Sequence, residues 1–187
     1  SVAAVSLPMA FAERTAGEGL WAEYYSGRAF DTFVSSAGEA AVDHVWSEGS
    51  YPAGLSGVEN FSARYVGRIL AEEAGDYTIY ANVDDGAKVF IDGRLAIHDA
   101  GPHFPAENAA SFTWEAGTYH TIKIEYYNGE LGGTMQLKWS TPSKQKEVIP
   151  TGNLFFGQKA DMDWVSGQGK IAARAHIYWE DDKAYEA

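Results

Sequence analysis

Residues 75–93 read Gly75-Asp76-Tyr77-Thr78-Ile79-Tyr80-Ala81-Asn82-Val83-Asp84-Asp85-Gly86-Ala87-Lys88-Val89-Phe90-Ile91-Asp92-Gly93. Tyr77, Ile79, Ala81 and Val83 fall on one face of a pleated strand, because successive side chains alternate between faces. Lys88 to Ile91 forms a second strand signal. Asp92-Gly93 is a two-residue hairpin signal that turns the chain into Arg94-Leu95-Ala96-Ile97. Between the first two strands stands Asp84-Asp85-Gly86, two carboxylates in succession before a glycine.

The same alternation recurs downstream. Thr121 to Tyr127 turns Ile122, Ile124 and Tyr126 inward, and Met135 to Trp139 does the same with Met135, Leu137 and Trp139. Helical periodicity is weak throughout, with room for a turn or two at Glu13 to Glu18 and at Ala37 to Asp43. Many short strands separated by Gly, Pro, Asn and Asp predict an all-β antiparallel sandwich or barrel.

Composition agrees with this reading. The chain has 187 residues, 45% hydrophobic and 14% aromatic, with six Trp, eleven Tyr and twenty Gly. That is enough for one domain with its own core, and it excludes a disordered chain. The formal net charge is −12. Such a surface repels phosphate backbones and anionic lipid, so nucleic acid is not expected as a partner, while its carboxylates suit a hard cation. The absence of Cys removes disulfides, thiolate metal sites and Cys nucleophiles. No stretch approaches the roughly 18 apolar residues of a membrane span.

Three regions are expected. Residues 1–18 hold an apolar arm, Val2 to Ala12, which reads either as the end of a signal peptide or as a strand. Residues 19–156 carry the sheet signals. Residues 157–187 form an extension with one strand candidate, Lys170 to Trp179.

Several blocks in the middle region, in order, resemble the PA14 family, found in bacterial toxins, glycosidases and adhesins. They are Gly19-Leu20-Trp21-Ala22-Glu23-Tyr24-Tyr25, Trp46, Asn60 to Gly67, Gly75 to Gly93, Ile124 to Tyr127, Leu137-Lys138-Trp139, Val148-Ile149-Pro150 and Leu154-Phe155. The resemblance implies a two-sheet antiparallel β-sandwich with loops gathered near one end. It also implies a site. In adhesin-type PA14 lectins the peptide corresponding to Asp84–Asp85 is cis, and both carboxylates hold one calcium ion.

Calcium takes about six to eight oxygens, so further ligands are needed. In those lectins a second loop supplies them, and the matching segment here is Asn128-Gly129-Glu130-Leu131-Gly132-Gly133-Thr134. Asn128 is the candidate side-chain ligand, and the carbonyls from Glu130 to Gly132 are candidate helpers. The loop Asp99 to Pro105 is a candidate neighbour, with His103 or Phe104 available to stack on a sugar. Read without the family, Asp84-Asp85-Gly86 is equally a strand end followed by an ordinary Asp-Gly turn.

Other constellations point nowhere sharper. His98 and His103 lie five apart with Asp99 between them, and a zinc reading would need a third ligand and a second shell. Gly167-Gln168-Gly169-Lys170 lacks the phosphate-loop spacing, and no pair of carboxylates is singled out for glycoside hydrolysis. A non-catalytic protein is expected. Two functional readings stand. One is an extracellular, cell-surface or periplasmic calcium-dependent carbohydrate-binding module. The other is a docking subunit of a cell-envelope assembly that contacts a protein through residues 1–18 and 170–179.

Overall fold

The computed structural model describes residues 17–156. The expectations for the apolar arm and for the strand at 170–179 lie outside the described residues. Two antiparallel sheets form a sandwich. The larger contains β1 (Leu20–Ser26), β2 (Thr32–Glu39), β4 (Phe61–Ala71), β6 (Gly86–Ile91), β7 (Arg94–Asp99), β9 (Thr118–Asn128) and β12 (Leu154–Phe155), in the order β2-β1-β4-β9-β6-β7 with β12 beside β4. The smaller contains β3 (Asp43–Trp46), β5 (Gly75–Asp84), β8 (Ala106–Trp114), β10 (Gly133–Ser140) and β11 (Glu147–Val148), in the order β11-β10-β5-β8 with β3 also on β10.

The core forms where the alternating residues of both sheets meet. Tyr77, Ile79, Ala81 and Val83 face Ile122, Ile124 and Tyr126 across the sandwich, joined by Met135, Leu137 and Trp139, and all are buried. The hairpin expected at Asp92-Gly93 joins β6 to β7, with positive φ at both residues (50° and 77°), as a turn matched to strand twist requires.

One expectation is corrected. Ala37 to Asp43 holds no helix, because Ala37 and Glu39 pair with Ala22 and Leu20 at the end of β2, and Asp43 opens β3. Alanine-rich local preference yields there to the sheet pairing. Among the described residues no helix is long and apolar enough to cross a membrane.

The face of the larger sheet turned away from the core is not plainly polar. Glu23, Arg64, Glu125 and Lys88 stand directly opposite one another across β1, β4, β9 and β6, a row of alternating charge. All four are buried. The Arg64 guanidinium lies 4.5 Å from the Phe30 ring centroid, and Lys123 Nζ reaches Glu125 Oε1 at 2.8 Å.

Candidate functional site

The site arises where the chain crosses twice from one sheet to the other at the same end of the sandwich. β5 ends at Asp84 in the smaller sheet and β6 begins at Gly86 in the larger, so Asp85 alone makes the crossing. The Asp84–Asp85 peptide is cis, as the resemblance implied. Segment 129–132 makes the second crossing, from β9 in the larger sheet to β10 in the smaller. The two crossings touch: Gly129 N donates to Asp85 Oδ2 at 2.7 Å. Tyr126 Oη donates to the Asp84 carbonyl at 2.5 Å, tying β9 to the same corner.

Electrostatics mark Asp84 as under-compensated. Burial, and then the neighbouring Asp85 charge, push the Asp84 carboxyl up to about 6. Burial followed by the same two carboxylates holds the Tyr126 hydroxyl well above its ordinary range, and burial with Asp85 pushes Tyr127 up to about 12.

Asn128 supplies the observation that tests whether a cation fits. Its side chain is fully buried at 0% exposure. Nδ2 donates to the Val58 carbonyl at 2.7 Å and to the Leu131 carbonyl at 3.0 Å. Two carbonyl acceptors on one side fix the amide orientation, since an amide oxygen there would meet oxygen. The other end, Asn128 Oδ1, is buried without a hydrogen-bond partner. A buried acceptor left unpaired is unfavourable by roughly 1–3 kcal/mol unless something electropositive meets it. Two carboxylates and an orphaned amide oxygen at one corner form a hard-oxygen donor set, which is calcium chemistry rather than zinc chemistry. Among the described residues no group of three or more His, Cys, Asp or Glu is placed to hold a metal, so a cation here would need amide and carbonyl oxygens to complete its ligands.

The corner opens into a cavity of about 580 Å³. Of the residues proposed from sequence, Asp84, Asp85, His103, Phe104, Glu130 and Gly132 line it. Asn128 sits just behind Gly133, which is also a lining residue. His103 stands in the wall with both ring nitrogens engaged: Nε2 lies 2.5 Å from Asp99 Oδ1, and Nδ1 lies 2.6 Å from the Phe104 carbonyl. It positions the loop, while Phe104 is the surface a ligand would meet, at 83% exposure. Leu131, at 68%, and Val45, at 66%, complete an apolar rim; sequence reading offered the Leu131 carbonyl alone and did not reach Val45.

Arg28 was also missed. Its Nε donates to Asn60 Oδ1 at 2.8 Å. Its Cζ and Nη2 lie 3.1 and 3.2 Å from where a side chain on Gly129 would begin, a point 3.0 Å from Asp85 Oδ2. No local signal marks Arg28 or Val45, because only the fold brings the 27–31 loop and β3 to this end.

A model of the PA14 domain family matches residues 17–153. Anti-sigma-I factor RsgI3 of Acetivibrio thermocellus is 33% identical over 139 residues, which cover 74% of this chain and 21% of that protein. The chain therefore spans about a fifth of that relative's length. Among solved structures, an anti-sigma factor domain-containing protein is 32% identical with a TM-score of 0.70, covering 74% of this chain and 48% of the other. A PA14 sugar-binding domain from an RTX adhesin superposes with a TM-score of 0.60 at 16% identity, over 76% of this chain and 100% of that one. This last likeness is one of fold alone.

Proposed function

The chain belongs to the PA14 domain family, and on that premise we propose that it is a calcium-dependent carbohydrate-binding module, non-catalytic, working outside the cytoplasm. The observation that carries this reading is the Asn128 Oδ1 acceptor, buried and unpartnered, on the residue next to Gly129, whose N–H binds Asp85. Asp84, Asp85 and Asn128 would hold the ion, with the carbonyls from Glu130 to Gly132 as helpers. A bound calcium ion supplies open positions at which two vicinal sugar hydroxyls can replace water. The chain's own part is to orient and exclude: Phe104, Leu131 and Val45 offer apolar surface to the C–H face of a sugar ring.

The test is a glycan array probed with the full chain in calcium and in chelator. Binding to at least one glycan class that disappears in chelator is the expected result, and no calcium-dependent signal would overturn the reading. Phe104→Ala should weaken that binding about tenfold, the scale of a lost stacking contact. It should leave the melting temperature and the calcium affinity unchanged, because Phe104 is exposed and far from the donor oxygens in role.

The pH dependence has a definite sign. Asp84 in the folded protein holds its proton up to about pH 6, against 3.8 ordinarily. Without calcium, the folded state binds more protons than the unfolded one between these values, so this group's contribution to stability falls as pH rises through that window. Calcium must displace the proton, so its affinity should fall as pH drops below about 6. Calorimetric titration at pH 7.5, 6 and 5 should show progressive weakening. Constant affinity across that range would remove Asp84 from the ligand set.

A second reading is favoured by the two relatives named as anti-sigma factors. In it the same module is the ligand-sensing part of a longer regulatory chain, and glycan binding is its input rather than an adhesive contact. Fusing the module to a reporter-linked anti-sigma chain would test it, with reporter output responding to the glycans found on the array.

A further inference from the structure

The open side of the sandwich, between edge strands β2 and β3, holds a second cavity of about 360 Å³ that the calcium reading does not use. On β2, Ser35, Ala37 and Glu39 are directly opposite Tyr24, Ala22 and Leu20, all core residues. Cross-strand partners share a face, so these β2 positions point toward the interior. A close-packed core would fill them with large aliphatic side chains. Here small and polar residues leave space and furnish it with hydrogen-bonding groups.

Glu39 organises that space. Its Oε1 accepts from Tyr24 Oη at 2.6 Å, and its Oε2 lies 2.7 Å from His44 Nε2. The His44 ring lies flat on Trp46, with centroids 4.7 Å apart and planes 12° apart. Ser35 Oγ donates to the Ala53 carbonyl at 3.0 Å, tying the β3–β4 loop over the cavity. Tyr51 on that loop lines the cavity and is 37% exposed.

We propose that this cavity is a second carbohydrate-binding site, independent of any metal, that takes a neutral sugar ring; the ligand class rests on the reading given under Proposed function. Serine and tyrosine hydroxyls with aromatic walls suit a polyhydroxylated ring with apolar C–H faces. The lining contains no Lys or Arg, and its one carboxylate is already engaged, so an acidic sugar would meet uncompensated negative charge. A single carboxylate is also too few for calcium. Strand β3 separates the two sites: Val45 lines the first, His44 the second, and Trp46 borders both.

The experiment is calorimetric titration of the full chain with neutral hexasaccharides of glucose, xylose and galactose, and with a hexasaccharide of uronic acids, each in calcium and in chelator. At least one neutral hexasaccharide should bind in chelator. Tyr51→Ala and His44→Ala should each weaken that binding about tenfold, and Asp85→Asn should leave it unchanged. The melting temperature of each variant, measured without sugar, checks that the fold is kept. Loss of all neutral-sugar binding in chelator would overturn the second site alone if calcium-dependent binding persists, and both sites if it does not. Chelator-resistant binding indifferent to Tyr51→Ala and His44→Ala would also overturn it, as would preference for the uronic acids. Chelator-resistant, Tyr51-sensitive binding with no calcium-dependent event would leave this site standing and the first reading fallen.

Discussion

Asp85→Asn is expected to lose the whole of the calcium-induced rise in melting temperature while keeping its fold. A cation that binds only the folded state, present about a hundredfold above its dissociation constant, adds about 2.7 kcal/mol. For a domain of this size that is roughly 10 °C. Asp85→Asn removes one anionic ligand but keeps an oxygen to accept the Gly129 N–H. In chelator its melting temperature should match or exceed that of the parent, because the repulsion with Asp84 is relieved. Asp85→Ala behaves differently. Reading the motif as a metal ligand alone predicts a loss only when calcium is present. The Gly129 bond shows that alanine also strands a buried donor, which is unfavourable by about 1–3 kcal/mol under either condition. Thermal scans of both variants, with calcium and with chelator, separate the two roles of this side chain. A calcium shift retained by Asp85→Asn would exclude Asp85 as a ligand.

Gly133→Ala should do more damage than its single methyl suggests. A Cβ there would lie 2.4 Å from Tyr126 Oη and 2.9 Å from both Cγ and Oδ1 of Asn128. Neither neighbour is free to move. Tyr126 is tied to the Asp84 carbonyl, and Asn128 to Val58 and Leu131. Overpacking of this kind is destabilising by about 1–3 kcal/mol, and breaking either anchor adds a further 1 kcal/mol or so. The calcium response should vanish as well, since the methyl group occupies the approach to Asn128 Oδ1. Gly49→Ala is the control: nothing lies within 4 Å of its added Cβ, so its effect should stay within about 0.5 kcal/mol. Denaturant unfolding with and without calcium measures both variants. Equal behaviour of the two would mean that the packing around Asn128 is looser than described.

Much of the fold was legible because alternation reports directly on which side chains face inward. Tyr77 to Val83, Ile122 to Tyr126 and Met135 to Trp139 all lie in the core as their spacing predicts. The Asp84, Asp85 and Asn128 corner was legible for a different reason, a family motif with an unusual pair of charges. Arg28 and Val45 were not, since their place at the cavity depends on where two crossings between sheets bring distant segments. The Glu39 and His44 cavity escaped because alternation says that a residue points inward without saying how much of the interior it fills. Its signal was present but quiet: small and polar residues at the inward positions 35, 37 and 39 of one strand.

Alternation leaves a second question open. A strand that slips by one residue turns its apolar side chains outward, and burial forbids that at once. A slip by two restores the parity, and the hydrophobic pattern cannot distinguish it from the native register. The charged row on the outer face can. In the native register Arg64 faces Glu125, and Glu125 faces Lys88 on its other side. Sliding β9 two residues along β4 in one direction sets Arg64 against Lys123, and in the other direction sets Arg68 against Lys123. Sliding β6 in one direction sets Lys88 against Lys123. Like charges directly opposed on a sheet are destabilising, and more so where the side chains are as buried as these. The row and its neighbour Lys123 thus work as a combination lock on strand alignment, closing both two-residue slips of β9 on β4 and one of β6 on β9 that the apolar code alone would let through.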